Sequence, residues 1–233
     1  MLQRVKHIFF DLDRTLWDFD ANSRKALQHI FHEYQLENYI ESFYHFHNTY
    51  LKINIDLWRK YGKNKITKEY LRDNRFLKTL KHHDIHDEGL AYKISQAYLH
   101  LSPKQTQLFP NTLETLTRLY QLGYKMHIIT NGFVEAQYIK LKESKLEPFF
   151  DIIVCSEHIG FNKPDKRIFK HALSLAHAKA EESLMIGDDL RIDILGANQV
   201  GMEAILFDPN KKYKSRAFKI IHSLSELVDC LIG

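Results

Sequence analysis

The chain has 233 residues, 44% hydrophobic and 27% charged, and 33 Lys and Arg against 29 Asp and Glu give a formal charge of +4. This is enough apolar material for a real core, which excludes a disordered chain, and the charge is spread too thinly for the basic stripe of a dedicated nucleic-acid binder, so small anions remain the candidate ligands. No apolar leader and no run of about 18 uncharged apolar residues is found, so no membrane span is expected; Cys155 and Cys230 offer at most one bridge, and a cytoplasmic setting is expected.

In chain order, Val5 to Phe10 is apolar apart from Lys6 and His7 and reads as a strand buried between layers. It ends at Asp11-Leu12-Asp13-Arg14-Thr15. On an extended backbone Asp11 and Asp13 project to one side while Leu12 points into packing. Two carboxylates at the end of a buried strand repel unless a cation or a shared proton separates them, which is the first sign of a metal-dependent site. Asp20 to Tyr34 follows as a helix with Ala26, Leu27, Ile30, Phe31 and Tyr34 on one face, capped by Asn22 or Ser23. From there to Leu101 no strand is predicted, and Phe43 to Trp58 and Lys68 to Leu80 are apolar at helical spacing.

After Ser102-Pro103 and Phe109-Pro110 the texture changes to repeated units. The periodicity predicts a helix through Leu113 to Tyr120 closed by Gly123, a strand from Tyr124 to Thr130, a helix from Val134 to Ser144 and a strand from Ile152 to Cys155. A helix over Pro164 to Ala178, a strand over Leu184 to Ile186, a helix over Ile192 to Val200 and a strand over Ala204 to Phe207 continue the alternation, before a last strand and helix. Alternation of this kind argues an α/β fold, a Rossmann-like parallel sheet sandwiched by helices. Residues 1–18 and 102–233 are expected to form its core domain, with residues 19–101 inserted as an α-helical block.

Reactive groups gather at the carboxyl edge of such sheets. Three strand ends carry suitable polar residues: Asp11-Leu12-Asp13, Thr130-Asn131 and Gly187-Asp188-Asp189. Phosphoryl transfer needs a nucleophile, a proton donor, a cation and positive donors around the phosphate, and the chain holds a candidate for each. Together with Lys163 before Pro164 and Asp193 after Asp188, these segments resemble the four ordered motifs of the haloacid dehalogenase superfamily. The likeness spans nearly the whole chain, and the helical insertion resembles the cap of that superfamily's first structural subclass. Phe9 to Phe19 and Ile128 to Gly132 are further similar to its bacterial pyrimidine 5'-nucleotidase branch. Arg14 departs from the family, which often has Gly there.

The resemblance implies a Mg²⁺-dependent phosphomonoester hydrolase in which Asp11 is the nucleophile and Asp13 the general acid and base. It implies Mg²⁺ on the Asp11 and Asp188 carboxylates and the Asp13 backbone carbonyl, with Thr15, Asp189 and Asp193 in support. Thr130 and the Asn131 backbone would donate to phosphate, helped by the following helix start, and Lys163 would supply fixed charge beside Pro164 in a helix's first turn. A dehalogenase attacks carbon and has no use for a second acid, so Asp13 favours an oxygen leaving group.

The expected partner is a small phosphate ester, first a nucleoside 5'-monophosphate, with no nucleic acid polymer and a monomeric or homodimeric protein. Runner-up readings are a phosphosugar phosphatase or phosphoglucomutase-like enzyme, and a regulatory binding protein with a relic site. The insert is expected to choose the substrate by closing over the site. Its aromatic run from Phe43 to Tyr50, with Trp58, Arg59 and Tyr61, reads more readily as bundle core than as a base-stacking surface. His82, His83 and His86 read as a polar loop rather than a zinc site, and Lys211 to Arg216 as a solvated basic turn.

Overall fold

The computed structural model describes residues 2–215 and 217–232, apart from the side chain of Gln3. Of the basic turn expected over 211–216, Arg216 lies outside the described residues. The chain divides into two compact units, Met1–Phe19 with Thr106–Gly233, and Asp20–Gln105.

In the first unit, strands β1 (His7–Phe10), β2 (Lys125–Thr130), β3 (Ile152–Cys155), β4 (Ser183–Gly187), β5 (Glu203–Phe207) and β6 (Lys219–Ile221) build a parallel sheet of six in the order β3-β2-β1-β4-β5-β6. The register aligns Phe10 of β1 with Ile128 of β2 and Ile186 of β4. Side chains alternate across the pleat. Ile8, Phe10, Ile128, Leu184, Ile186 and Phe207 join a core on one face, with Leu116 and Leu119 of α5 (Thr112–Gln121) and Leu227 and Leu231 of α9 (Glu226–Ile232). Phe9, Ile129, Val154 and Met185 join a core on the other face, with Phe169 and Leu173 of α7 (Lys166–Leu175) and Ala197 of α8 (Leu195–Asn198). Apolar residues on both sides of every central strand explain why β1 reads as a nearly continuous hydrophobic run.

The second unit consists of helices: α1 begins at Phe19 and runs to Glu33, followed by α2 (Phe43–Tyr61), α3 (Lys68–His82) and α4 (Glu88–Leu101). Ser42, Thr67 and Asp87 cap the last three by accepting from the backbone N–H three residues on. Asn22 and Ser23, expected as caps of α1, are instead buried within it, and Ser23 Oγ lies 2.8 Å from Tyr98 Oη. The helices pack around Leu27, Ile30, Phe31, Phe46, Tyr50, Phe76, Leu80, Ile94 and Tyr98. Phe46 and Tyr50 are fully buried there, so much of the aromatic run is core, while Tyr44 is exposed. Among the described residues no helix is long and apolar enough to cross a membrane.

Candidate active site

β1 is the point where the sheet's order reverses, with β2 on one side and β4 on the other, and such a switch leaves a crevice beyond the carboxyl ends of the strands. Asp11 follows Phe10 directly and its backbone N–H donates to Ile186 O at 2.9 Å, which seats it beside the end of β4. Asp188 follows that end by one residue. Asp193 returns to the same place because residues Leu190–Ile194 form a π-helical turn, a wide turn that is over-represented at functional sites. A side chain at Gly187 would collide with the Asp193 carboxylate, which accounts for the glycine. Carboxylate oxygens of Asp11, Asp188 and Asp193 lie within 4.8 Å of one another, and among the described residues this is the one group of three or more acidic, His or Cys side chains so placed. The histidines at 82, 83 and 86 form no such group.

Lys163 reaches into this cluster from the loop before α7. Its Nζ donates to Asp11 Oδ1 at 2.6 Å and to Asp193 Oδ1 at 2.7 Å. Burial disfavours the lysine's charge, and the attraction of Asp11 and Asp193 outweighs it, so its pKa is raised. Burial pushes Asp11 up to about 7 against the pull of Lys163, and burial with the repulsion of Asp11 and Asp193 pushes Asp188 up to about 8. The Lys163 ammonium and the attraction of Arg14 for Asp188 therefore leave three carboxylates, two of them buried, short of positive charge. A hard, oxygen-only donor set with an excess of negative charge fits Mg²⁺.

Thr15 is fully buried with Oγ1 3.5 Å from Asp11 Oδ2. Thr130 Oγ1 accepts from Gly132 N at 3.0 Å, and a hydroxyl that accepts one bond keeps its hydrogen to donate. The Asn131 side chain clamps the Lys163 backbone in both directions, Nδ2 donating to Lys163 O at 3.0 Å and Oδ1 accepting from Lys163 N at 2.8 Å. That clamp ties the end of β2 to the lysine of the third motif. Pro164 precedes the Asp165 cap of α7 and so lies outside the helix's first turn, where it was expected. Asp189 supports the cluster through its backbone, whose N–H donates to Asp193 Oδ2 at 3.1 Å, while its Oδ1 accepts from Arg191 N and Ile192 N at 2.8 and 2.9 Å as a local cap. The start of α6 (Val134–Glu143), expected to help hold phosphate, already has an anion, since Val134 N donates to Glu157 Oε2 at 2.7 Å.

Asp13 departs most from the sequence reading. The backbone does not stay extended past Leu12: Arg14 has φ 67°, its N–H donates to Trp17 O at 2.9 Å, and Leu12 O accepts from Leu16 N and Trp17 N at 3.0 and 2.9 Å. The left-handed conformation at Arg14 is the physical reason a glycine suits that position. The Asp13 carboxylate faces α6, where Lys140 Nζ donates to Oδ1 at 2.6 Å and Gln137 Nε2 to Oδ2 at 2.9 Å. Sequence reasoning missed both donors. Their signal was two polar residues three apart on the buried face of the helix that follows Thr130-Asn131-Gly132.

A family model described as haloacid dehalogenase-like hydrolase matches residues 8–207. Over 230 residues the chain is 30% identical to pyrimidine 5'-nucleotidase PynA of Streptococcus pneumoniae, covering 97% of this chain and 94% of that protein. It is 32% identical over 206 residues to a glyceraldehyde 3-phosphate phosphatase of Methanothermobacter thermautotrophicus, covering 87% and 85% of the two chains. The crystal structure of the HAD-hydrolase YfnB from Bacillus subtilis bound to magnesium superposes with a TM-score of 0.87 at 30% identity, covering 98% of this chain and 99% of that one.

Proposed function

Since the chain belongs to the haloacid dehalogenase-like hydrolase family, we propose that it is a magnesium-dependent phosphomonoester hydrolase whose first substrates are nucleoside 5'-monophosphates. The observation that carries this reading is the close group of Asp11, Asp188 and Asp193, with Lys163 bridging the two buried members Asp11 and Asp193. A nucleophilic carboxylate beside a fixed cation is what attack on an anionic phosphate requires.

In the first step Asp11 attacks phosphorus, the bond from phosphorus to the ester oxygen breaks, and Asp13 gives its proton to the departing alkoxide. In the second step water attacks phosphorus, Asp13 takes the water's proton, and the bond to Asp11 breaks to release phosphate and restore the carboxylate. Mg²⁺ held by the Asp11 and Asp188 carboxylates and the Asp13 carbonyl would neutralise charge between nucleophile and phosphate. Lys163 holds Asp11 in place and balances part of its charge, Asn131 fixes the backbone of Lys163, and Asp193 orients its ammonium. The Thr130 hydroxyl and the Asn131 backbone N–H donate to the transferring phosphate.

The nucleotide preference rests on the likeness to PynA along nearly the full length of both chains. The similar identity to a glyceraldehyde 3-phosphate phosphatase supports a phosphosugar or phosphotriose as the second reading. Phosphate release from cytidine and uridine 5'-monophosphates, glyceraldehyde 3-phosphate and hexose phosphates, measured with Mg²⁺ and with EDTA, decides between them. Preferred release from the pyrimidine nucleotides is expected. Preferred release from a sugar or triose phosphate would sink the nucleotide assignment and leave the chemistry standing. Phosphoryl transfer between sugar positions without accumulation of free phosphate would favour a mutase, and no turnover of any ester would favour a binding protein with a relic site.

A further inference from the structure

We infer that Gln137 and Lys140 are positioning residues for Asp13, holding its carboxylate in a single orientation with one donor on each oxygen; the inference rests on the reading of Asp13 as acid and base. An acid that must meet a leaving oxygen has to lie within hydrogen-bond reach of it, and a short side chain in a turn has no such placement of its own. Asp13 sits in that kind of turn, between Leu12, whose carbonyl closes the turn, and Arg14 in the left-handed region. The orientation is supplied from α6. Lys140 Nζ stands 2.6 Å from Oδ1 and Gln137 Nε2 2.9 Å from Oδ2.

Three further observations make this a built arrangement. Gln137 and Lys140 are 1% and 5% exposed, and burying a lysine is costly unless a specific partner compensates the loss of water. The ammonium also lies 4.3 Å from the centre of the Trp17 ring, a cation–π contact that keeps the lysine's long stem from roaming. A Cβ at Gly132 would collide with the Gln137 amide nitrogen, so the glycine of Thr130-Asn131-Gly132 is what lets that amide pass to Asp13. An ionised carboxylate has about four acceptor sites, so two donors leave room for a proton to come and go.

A pin that merely stabilised the fold would affect every substrate alike, whereas a device that orients an acid acts only where the leaving group needs a proton. The test compares kcat/KM, which covers the steps through departure of the leaving group, for cytidine 5'-monophosphate and for p-nitrophenyl phosphate, whose aryloxide leaves unprotonated. Lys140→Met is expected to lower kcat/KM for the nucleotide by about 10- to 100-fold, less than the roughly 100- to 10,000-fold that a general acid contributes, because the acid itself is kept. The loss on the aryl ester is expected to stay below about 3-fold, with KM for both esters nearly unchanged. Lys140→Arg, which keeps a charged donor, is expected to recover most of the nucleotide activity, and Gln137→Met to shift the ratio in the same direction by less. Circular dichroism checks folding; should Lys140→Met fail to fold, Gln137→Met carries the comparison. Equal losses on the two esters would overturn the positioning role. A wild type inert to both would overturn the hydrolase reading and this one with it.

Discussion

Lys163→Met isolates the cation that bridges Asp11 and Asp193. Methionine keeps the length and apolar volume of the lysine stem and removes the ammonium, which lies 2.6 Å from Asp11 and 2.7 Å from Asp193 with its own side chain 2% exposed. Removing one partner of a buried ion pair costs about 3–5 kcal/mol because the other charge is left uncompensated. Here Asp11 already stands near 7, so at neutral pH its uptake of a proton limits the loss to the lower end. A destabilisation of about 3 kcal/mol is expected at pH 7 without divalent cations, or about 6–12 °C in melting temperature for a chain of this size. The chain has two tryptophans, and Trp17 is fully buried in the α/β unit while Trp58 lies in the helical one. In a Trp58→Phe background, Trp17 fluorescence during urea unfolding therefore reports the unit that contains the site. Lys163→Arg, which retains charge, should lose less. A Lys163→Met variant within about 0.5 kcal/mol of its parent would refute the claim that this ammonium holds the carboxylates together.

Asp11→Asn is expected to abolish turnover, and Asp13→Asn to slow it by about 100- to 10,000-fold, as read from initial rates of phosphate release. Mg²⁺ should raise the melting temperature of the wild type by mass action, and Asp188→Asn should abolish most of that shift; an equal shift in the variant would place the ion elsewhere. Gly187→Ala should displace Asp193 and cost about 1–3 kcal/mol as an overpacked site, checked by thermal melts. His127 of β2 is buried against His7 and Phe9, and burial lowers its pKa from 6.5 to about 4. The unfolded chain thus binds a proton that the folded one refuses between pH 6.5 and 4. Stability should fall across that window as pH drops, by up to about 3 kcal/mol. His127→Gln should flatten the slope there, and an unchanged slope would assign the acid sensitivity to other groups.

The sheet was legible because its strands are buried on both faces, so Ile152 to Cys155 and Ala204 to Phe207 stand out as short apolar runs bounded by polar turns. The acidic segments could be placed at the carboxyl edge because each directly follows such a run. What eluded sequence reading depends on turns and on helix faces. The chain turns through a left-handed Arg14 and the Asp13 carboxylate pairs with α6, and nothing in the spacing of Asp11 and Asp13 reveals either. Gln137 and Lys140 look like ordinary solvated helix positions until the helix's inward face is known. The Asn131 clamp on Lys163 joins residues 32 apart in sequence, and only the packing of the β2 end against the loop before α7 brings them together.

The central claim is that Asp11 is the group that takes the phosphoryl moiety. Acid-quenching the enzyme during turnover of cytidine 5'-monophosphate with Mg²⁺, followed by peptide mass spectrometry, tests it directly. The expected result is a phosphoryl adduct on Asp11 that is absent from Asp11→Asn. Steady phosphate release with Asp11 unmodified, and continued turnover by Asp11→Asn, would contradict it.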